Sequence, residues 1–327
     1  MNLVYASLPL TGLAGSAGRD LLRGAELALE RRHDADISLV ALDASGEGRD
    51  EQALVNAQRA VSDPQALAYL GDFHSSQVAR TAPLLSEAGM LQVAPAATFV
   101  GLGGATLVRL MPHDGVLARA IAGWLVDAGV RDLLVVHDHD EGYGVPVGRM
   151  CAEAARERGI DVRARPVWDH DEAMAGDVAG AGAVLYAGVA GSGAVAMWDA
   201  LHAHDPAMWL LGTDGLAFDW FARGMSEGAA QRTRFFGAQR APWGFYGYEA
   251  MALIADAIAA GGRDRAEIVR TARSIRDRDS MLGRYSIDAD GLTTCAACGR
   301  FAVAGGEIVW DRPQRSSSGR ASRSTRV

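Results

Sequence analysis

The chain has 327 residues, of which 49% are hydrophobic and 22% charged, and its formal net charge is −8. This length exceeds the size at which a single hydrophobic core stops growing, so two lobes are expected, and the composition is that of a folded globular protein. The negative charge argues against a nucleic-acid partner; since all 32 basic residues are arginines, chemistry based on a Schiff-base or phosphate-loop lysine is excluded.

Neither a membrane span nor a secretion signal is visible in the sequence. No run of about 18 apolar residues occurs, which predicts the absence of a membrane-spanning helix. The first residues, Met1 to Leu8, lack the basic start, the long apolar stretch and the cleavage site of a secretory signal. As written, the chain is therefore expected not to be exported.

The first half of the chain predicts strands that alternate with helices, the pattern of a mainly parallel sheet covered on both faces. The predicted elements, in chain order, are a strand at 3–8, a helix at 16–32, a strand at 37–42, a helix at 50–62, a strand at 66–70, a helix at 75–88 and a strand at 91–94. The pattern pauses near residues 109–114, where the first crossing between lobes is expected.

The second half repeats the same alternation and ends differently. Its predicted elements are a helix at 116–128, a strand at 132–137, a helix at 145–158, strands at 162–167 and 183–188, a helix at 193–202, strands at 208–212 and 235–239, helices at 245–260 and 264–275, and a hairpin-like segment at 283–310. Residues 312–327 are rich in Ser and Arg and are predicted to be disordered.

Polar side chains follow several predicted strands, and ligands of open α/β sheets bind at that edge. Ser75 and Ser76 open a helix after a strand, so a hydroxyl and backbone N–H groups can hold a carboxylate; the alternative for Ser75 is a simple N-cap. Thr98 follows the strand at 91–94, and Tyr143 lies between a strand and a helix. Asp214 can pair with an ammonium group, with an Asx-turn as the alternative.

The evidence for metal-binding or catalytic motifs is weaker than that for the polar residues at the strand ends. The loop at 137–141 contains two His and three acidic residues, but a solvated loop is favoured over a metal site because His137 and His139 alternate along a strand end. Cys295 and Cys298 lack the further ligands of a zinc site, which leaves a plain loop or a local disulfide. A nucleophile elbow, a His-Glu-x-x-His motif and a clean dinucleotide fingerprint are all missing, so neither an enzyme nor a cofactor nor a metal is predicted.

The loops, in this order, resemble the type I periplasmic binding proteins, specifically the leucine/isoleucine/valine-binding branch used by ABC importers. The resemblance rests on Pro9-Leu10-Thr11-Gly12, on the helix segment Gly24 to Ala28 and, above all, on the stretch from Gly71-Asp72-Phe73-His74-Ser75-Ser76 to Ala94-Pro95-Ala96-Ala97-Thr98. It covers almost the whole ordered chain and implies two Rossmann-like α/β lobes with parallel sheets flanked by helices, joined by a three-strand hinge.

The resemblance also implies a ligand site. Ser75, the backbone at Ala96 and the hydroxyl and N–H of Thr98 would hold a ligand carboxylate, and Tyr143 and Asp214 would meet its ammonium group. The complete predicted ligand-binding set is Phe73, His74, Ser75, Ser76, Ala96, Ala97, Thr98, Tyr143, Asp214 and Trp243, with Phe218 and Trp220 as further aromatic candidates for the side-chain pocket. The family more often has Glu where this chain has Asp214, and a small residue where it has His74.

The resemblance places residues 1–112 and 238–283 in the N-terminal lobe, 113–237 and 284–311 in the C-terminal lobe, and 312–327 in the tail. It implies a monomeric solute-binding protein outside the cytoplasm that closes around an amino acid, branched-chain or otherwise hydrophobic, and delivers it to an ABC permease in the membrane. The alternatives are a ligand sensor of the same fold without a transport role and, in another class, an oxidoreductase on a doubly wound fold, for which no cofactor fingerprint is found.

Overall fold

The computed structural model describes residues 2–32, 36–45, 49–140, 143–167, 175–191, 193–237, 242–295 and 298–311. Within these residues the strands form two separate sheets, each flanked by helices. The predicted tail at 312–327 lies outside the described residues.

The first sheet is parallel throughout and is built from the N-terminal third of the chain. Its strands are β1 (Asn2–Leu8), β2 (Ile37–Asp43), β3 (Ala66–Leu70), β4 (Leu91–Ala94) and β5 (Leu107–Arg109), in the order β2-β1-β3-β4-β5. The connecting helices are α1 (Gly15–Glu30), α2 (Arg49–Ser62) and α3 (Ser75–Glu87). Every residue of β3 and β4 is buried, as expected for central strands of a parallel sheet covered on both faces.

The second sheet combines a parallel core with an antiparallel edge. Its strands are β6 (Asp132–His137), β7 (Asp161–Pro166), β8 (Ala183–Ala187), β9 (Trp209–Gly212), β10 (Thr233–Gly237), β11 (Gly299–Ala304) and β12 (Glu307–Trp310), in the order β12-β11-β10-β9-β8-β6-β7. Strands β11 and β12 form the antiparallel edge. The helices of this lobe are α4 (Asp114–Asp127), α5 (Gly144–Arg156), α6 (Ala175–Val178), α7 (Ala194–His204), α8 (Asp219–Gly224) and α9 (Glu227–Arg232).

Helix α10 (Trp243–Gly261), followed by α11 (Arg265–Arg273), returns the chain to the first lobe, where α10 packs along α1. Two glycines permit this close contact. A Cβ atom at Gly24 would lie 1.9 Å from the carbonyl oxygen of Gly244, and one at Gly247 would lie 1.9 Å from that of Leu21. The helix axes can approach this closely only because both positions lack a side chain.

The segment before β11 lies beside the first sheet. The backbone N–H of Arg109 donates to Gly291, and that of Thr293 donates to Arg109. The hydroxyl of Tyr285 donates to the buried carboxylate of Glu249 on α10 at 2.7 Å. These contacts associate residues 285–293 with the first lobe, whereas the predicted division assigns 284–311 to the second; the pairing partner of this segment, β5, was not predicted.

Most predicted elements agree with the structure to within a few residues at each end, which is the usual uncertainty of helix boundaries. Besides β5, the short helices α6, α8 and α9 were not predicted, since four to six residues carry too little periodicity to be recognised. Within the described part of the chain, no helix combines the length and apolar character needed to cross a bilayer.

Candidate functional site

A cleft lies between the loops that follow the strands of the two sheets, and it contains about 540 Å³ of empty space, part of it open to solvent. Its residues come from both lobes. They are Arg49, Phe73, His74, Ser75, Ser76, Ala96, Thr98, Asp140, Tyr143, Val189, Asp214, Gly215, Phe218 and Trp243. Every predicted ligand-binding residue except Ala97 is among them. Ala97 is 1% exposed and packs with Val78 and Ala82 behind the loop.

The first lobe contributes hydrogen-bond donors at the N-terminus of α3. Ser75 is the first residue of this helix, and the N-cap position belongs to His74. The Ser75 hydroxyl oxygen accepts from the backbone N–H groups of Thr98 at 3.3 Å and Phe99 at 3.2 Å, so its own hydrogen is left for an acceptor in the cleft. Together with the N-terminal end of α3 and its helix dipole, this hydroxyl forms an environment suited to an anion.

Two details differ from the expected roles. The N–H of Thr98, expected to hold a ligand carboxylate, donates instead to Ser75, and the Thr98 hydroxyl, expected to do the same, interacts with the carboxyl group of Asp114. The Ser76 hydroxyl donates to Asp50 at 2.9 Å. Ser76 therefore lines the cleft with its hydroxyl already engaged inside the first lobe.

The second lobe contributes a carboxylate. Asp214 begins a short 3-10 helix after β9, and its Oδ1 accepts a 2.5 Å hydrogen bond from the hydroxyl of Tyr143. Burial, followed by the charge of Asp214, raises the pKa of Tyr143 well above 10, so the phenol stays protonated and acts as a donor. Tyr143 thereby holds the Asp214 side chain, which is only half-buried, at the surface of the cleft.

A second carboxyl group near Asp214 was missed by the sequence interpretation. Asp114, the first residue of α4, is 1% exposed, and its backbone N–H donates to the carbonyl of Thr98 at 2.9 Å. Neither of its carboxylate oxygens accepts a hydrogen bond of standard geometry from a described residue. Burial, followed by the nearby Asp214, raises the pKa of Asp114 to about 8, although the Thr98 hydroxyl and Arg109 act in the opposite direction. In the sequence, the only indication that Asp114 lies near the site is its position in the segment where the chain is expected to cross between the lobes.

Apolar and aromatic side chains form the rest of the cleft. The rings of Phe73 and Trp243 lie 5.1 Å apart, and Phe218 also lines the cleft, whereas Trp220 stacks on Phe218 outside the lining. His74 contacts Phe73 edge to face, with ring centroids 4.9 Å apart. Burial, with a smaller effect of Arg49, lowers the pKa of His74 to about 3, so its imidazole is neutral at physiological pH.

The rim of the cleft is crossed by an ion pair that the sequence did not reveal. Arg49 of α2 lies 3.7 Å from Asp140, which follows β6 in the other lobe. Asp138 holds this part of the second lobe, because its carboxylate accepts from the backbone N–H of Asp140 at 3.0 Å and of Val189 at 2.9 Å. The backbones of two cleft loops are thus bound by one partly buried side chain.

The other candidate sites have simple outcomes. Within the described ranges, no three His, Cys, Asp or Glu side chains are placed to hold a metal ion. Glu141, which belongs to the loop at 137–141 that was considered as a metal site, lies outside these ranges. Cys151, Cys295 and Cys298 are free thiols.

Taken over both lobes, the cleft offers hydrogen-bond donors on the side of the first lobe and a carboxylate on the side of the second lobe. This arrangement suits a zwitterion.

Comparisons with known proteins agree with this geometry. Residues 6–209 match the model of the periplasmic binding protein family. No curated protein sequence matches the chain.

The solved structures that are similar to the chain include binding proteins with different ligands. A leucine-binding protein from Thermotoga maritima is 21% identical, with 95% of this chain and 98% of that chain covered and a TM-score of 0.84. An ABC transporter substrate-binding protein from Desulfitobacterium hafniense, in complex with leucine, is 18% identical, with 94% and 99% covered and a TM-score of 0.78. An ABC transporter solute-binding protein from R. palustris, in complex with benzoate, is 17% identical, with 94% of each chain covered and a TM-score of 0.77. These likenesses confirm the predicted fold class.

Proposed function

Because the chain belongs to the periplasmic binding protein family, we propose that it binds an α-amino acid between its two lobes and delivers it to the permease of an ABC importer outside the cytoplasm. The ligand is bound without a chemical change. Closure of the lobes around it is the step that the permease would recognise.

The observation that supports the amino-acid assignment is the carboxylate of Asp214, which lines the cleft opposite the donors of the first lobe and interacts electrostatically with the buried carboxyl group of Asp114. A buried carboxyl group without a hydrogen-bond partner is costly. An ammonium group bound at Asp214 would donate hydrogen bonds to its carboxylate, and its positive charge would offset the repulsion between Asp214 and Asp114.

The same pair argues against an aromatic acid such as benzoate, which one structural neighbour binds. Benzoate has a carboxylate for the Ser75 side but no cation for Asp214 and Asp114. Its binding would bring a negative charge towards these carboxyl groups and would supply no positive charge to offset the repulsion between them in a site closed to water. An amino acid satisfies both ends of the site.

Closure follows from the distribution of the groups over two lobes. The carboxylate of the ligand would bind to the Ser75 hydroxyl and the α3 terminus, and its ammonium group to Asp214 in the second lobe. A ligand that engages both ends stabilises the closed arrangement more than the open one, which is the condition for ligand-driven hinge closure.

Binding is tested by isothermal calorimetry and thermal shift with leucine and two truncated relatives, 4-methylpentanoate, which lacks the amine, and leucinamide, which lacks the carboxylate. Leucine should raise the melting temperature, since a ligand that binds only the folded state stabilises it, and the truncated compounds should not. Equal binding of 4-methylpentanoate and leucine would contradict the amino-acid assignment. The absence of binding across all proteinogenic amino acids would also contradict it.

A further inference from the structure

A second groove lies where helix α1, the start of helix α8 and the β11–β12 hairpin come together, and we call it the hairpin groove. It contains about 950 Å³ of empty space, part of it open to solvent. Helix α1 of the first lobe contributes Asp20 to its lining, and α8 contributes Asp219. The hairpin contributes Phe301 and Trp310. The hairpin groove is therefore formed by both lobes.

The hairpin side of this groove is aromatic and only partly covered. The rings of Phe301 and Trp310 lie 4.7 Å apart, yet Trp310 is still 45% exposed. Strand β12, which carries Trp310, is the last strand at this edge of the second sheet. Exposed aromatic surface beside a groove favours a binding partner, and tryptophan is the best aromatic platform for a guanidinium group.

The charged residues that line the hairpin groove are both acidic. Asp20 is exposed on α1. Asp219 lies 3.5 Å from Arg223, but both side chains are more than 60% exposed, and a pair of this kind contributes little to stability. Both carboxylates are thus accessible to a cationic partner, and together with the aromatic rings they suit a segment rich in arginine.

The chain itself contains such a segment, the tail at 312–327. The tail has five arginines and no acidic residue. Residues 1–311 contain the other 27 arginines and all 40 acidic residues, so their formal net charge is −13. The tail and the rest of the chain are therefore strongly complementary in charge.

The point from which the tail leaves the second sheet is fixed at the edge of the hairpin groove. Asp311 follows Trp310, and its carboxylate accepts from the Nε atoms of Arg234 and Arg300, each at 2.8 Å. A segment of this length can extend over roughly 50 Å, which is sufficient to reach every part of the groove. The covalent link also gives the tail a local concentration on the order of millimolar, so weak contacts are sufficient to hold it.

We propose that the tail at 312–327 docks in the hairpin groove, where its arginines stack on Trp310 and pair with Asp20 and Asp219. A guanidinium group is suited to both contacts, because its planar face stacks on aromatic rings and its N–H donors pair with carboxylates. Docking of this kind requires no secondary structure in the tail. The inference does not involve the amino-acid site, so its test is independent of the proposed function.

The test measures whether the groove binds the tail as a separate peptide when the chain's own tail has lost its charge. The glutamine variant is the full chain with Arg312→Gln, Arg315→Gln, Arg320→Gln, Arg323→Gln and Arg326→Gln. Binding of a fluorescein-labelled peptide with the sequence of residues 312–327 is followed by fluorescence anisotropy. The peptide should bind the glutamine variant about fivefold or more tightly than the unmodified protein, whose own tail competes for the groove. This difference should vanish in about 0.5 M NaCl, where the charges are screened.

Three substitutions in the glutamine variant separate the groove from the general negative charge. Asp20→Asn and Asp161→Asn each remove one charge, but Asp161 is exposed on β7, at the opposite edge of the second sheet from β12. Asp20→Asn should weaken peptide binding about threefold or more, whereas Asp161→Asn should leave it unchanged. Trp310→Leu should also weaken binding, because it removes the ring on which a guanidinium group stacks.

Equal binding of the peptide to the unmodified protein and to the glutamine variant would overturn the proposal. Equal effects of Asp20→Asn and Asp161→Asn would also overturn it, because binding would then follow net charge alone. If the peptide binds vesicles that contain phosphatidylglycerol but does not bind the glutamine variant, the partner of the tail is an anionic lipid surface, and docking in the groove is refuted.

Discussion

The substitution Asp214→Asn isolates the charge that the proposed function places opposite the ligand ammonium group. Asparagine keeps the size of the side chain and a carbonyl oxygen that can still accept from Tyr143, whose hydroxyl lies 2.5 Å from Asp214. The substitution removes the negative charge and replaces one acceptor oxygen with an NH2 donor, and both changes act against a cationic ligand group. An effect on affinity therefore reports the interaction with a cation and not a rearranged cleft.

The magnitude follows from the environment of Asp214, which is half-buried and held by a protonated phenol. A hydrogen bond to a charged group contributes about 1.5–3 kcal/mol. Since each 1.4 kcal/mol is a factor of ten in the dissociation constant, the amino acid should bind roughly 10- to 150-fold more weakly. Calorimetry measures this directly, and a ligand present at 100 times its original dissociation constant should lose between about half and about nine-tenths of its stabilisation of about 2.7 kcal/mol.

Asp219→Asn is the matched control. Asp219 is close in the chain, but its side chain is 62% exposed and pairs with Arg223 on the surface of α8, so affinity should stay within twofold of the original. Equal affinities in Asp214→Asn and in the unmodified protein, with both proteins folded, would refute an ammonium site at Asp214.

Three further outcomes follow from the structure. Ser75→Ala should weaken amino-acid binding about tenfold, whereas Ser76→Ala should change it by less than twofold, because the Ser76 hydroxyl is already bonded within its lobe; calorimetry on both variants checks this. Burial raises the pKa of Asp114 to about 8, so this carboxyl group is protonated at lower pH. A ligand with an ammonium group favours the ionised form of Asp114, and its binding below pH 8 must therefore release the Asp114 proton. The affinity for the amino acid should therefore rise with pH, by up to tenfold per pH unit, until about pH 8. Asp114→Asn should abolish this pH dependence. It should also abolish the proton release, which calorimetry measures by comparing the binding enthalpy in two buffers. Gly247→Ala should destabilise the protein by about 1–3 kcal/mol through the α1–α10 contact, whereas Gly123→Ala, in open space on α4, should be neutral or stabilising in chemical denaturation.

The sequence was sufficient to predict the fold because its signals are repeated along the chain. Apolar strands such as 66–70 and 91–94 are followed by loops and helices in a fixed alternation, and each repeat supports the same parallel architecture. The resemblance to a known family then added the three-strand hinge between the lobes and the roles of the residues in the cleft loops. Elements without such repetition, such as β5 at Leu107–Arg109, were missed, because three residues give no period.

The site was predicted in part, and the missed residues share a physical reason. Ser75, Thr98, Tyr143 and Asp214 follow strands, where the topology itself brings side chains to one edge. Asp114 lies at the start of a helix, where acidic residues usually interact with the helix dipole, so nothing local distinguishes it from a surface residue. Its burial depends on the packing of two lobes that are distant in sequence, and the pairing of Arg49 with Asp140 depends on the same packing.

The position of Asp114 links the two halves of the proposed mechanism. Its backbone donates to Thr98, on the carboxylate side of the site, while its side chain lies near Asp214, on the ammonium side. In the empty cleft, the proton on Asp114 limits the charge that must be buried when the lobes approach. An amino acid replaces that proton with its own ammonium group, so the closed state then holds a compensated set of charges. An acid without an amine brings a negative charge towards Asp214 and supplies no cation, and closure around it is opposed. In the proposed mechanism, selection for zwitterions therefore arises from the closed state, where water can no longer screen the carboxylates.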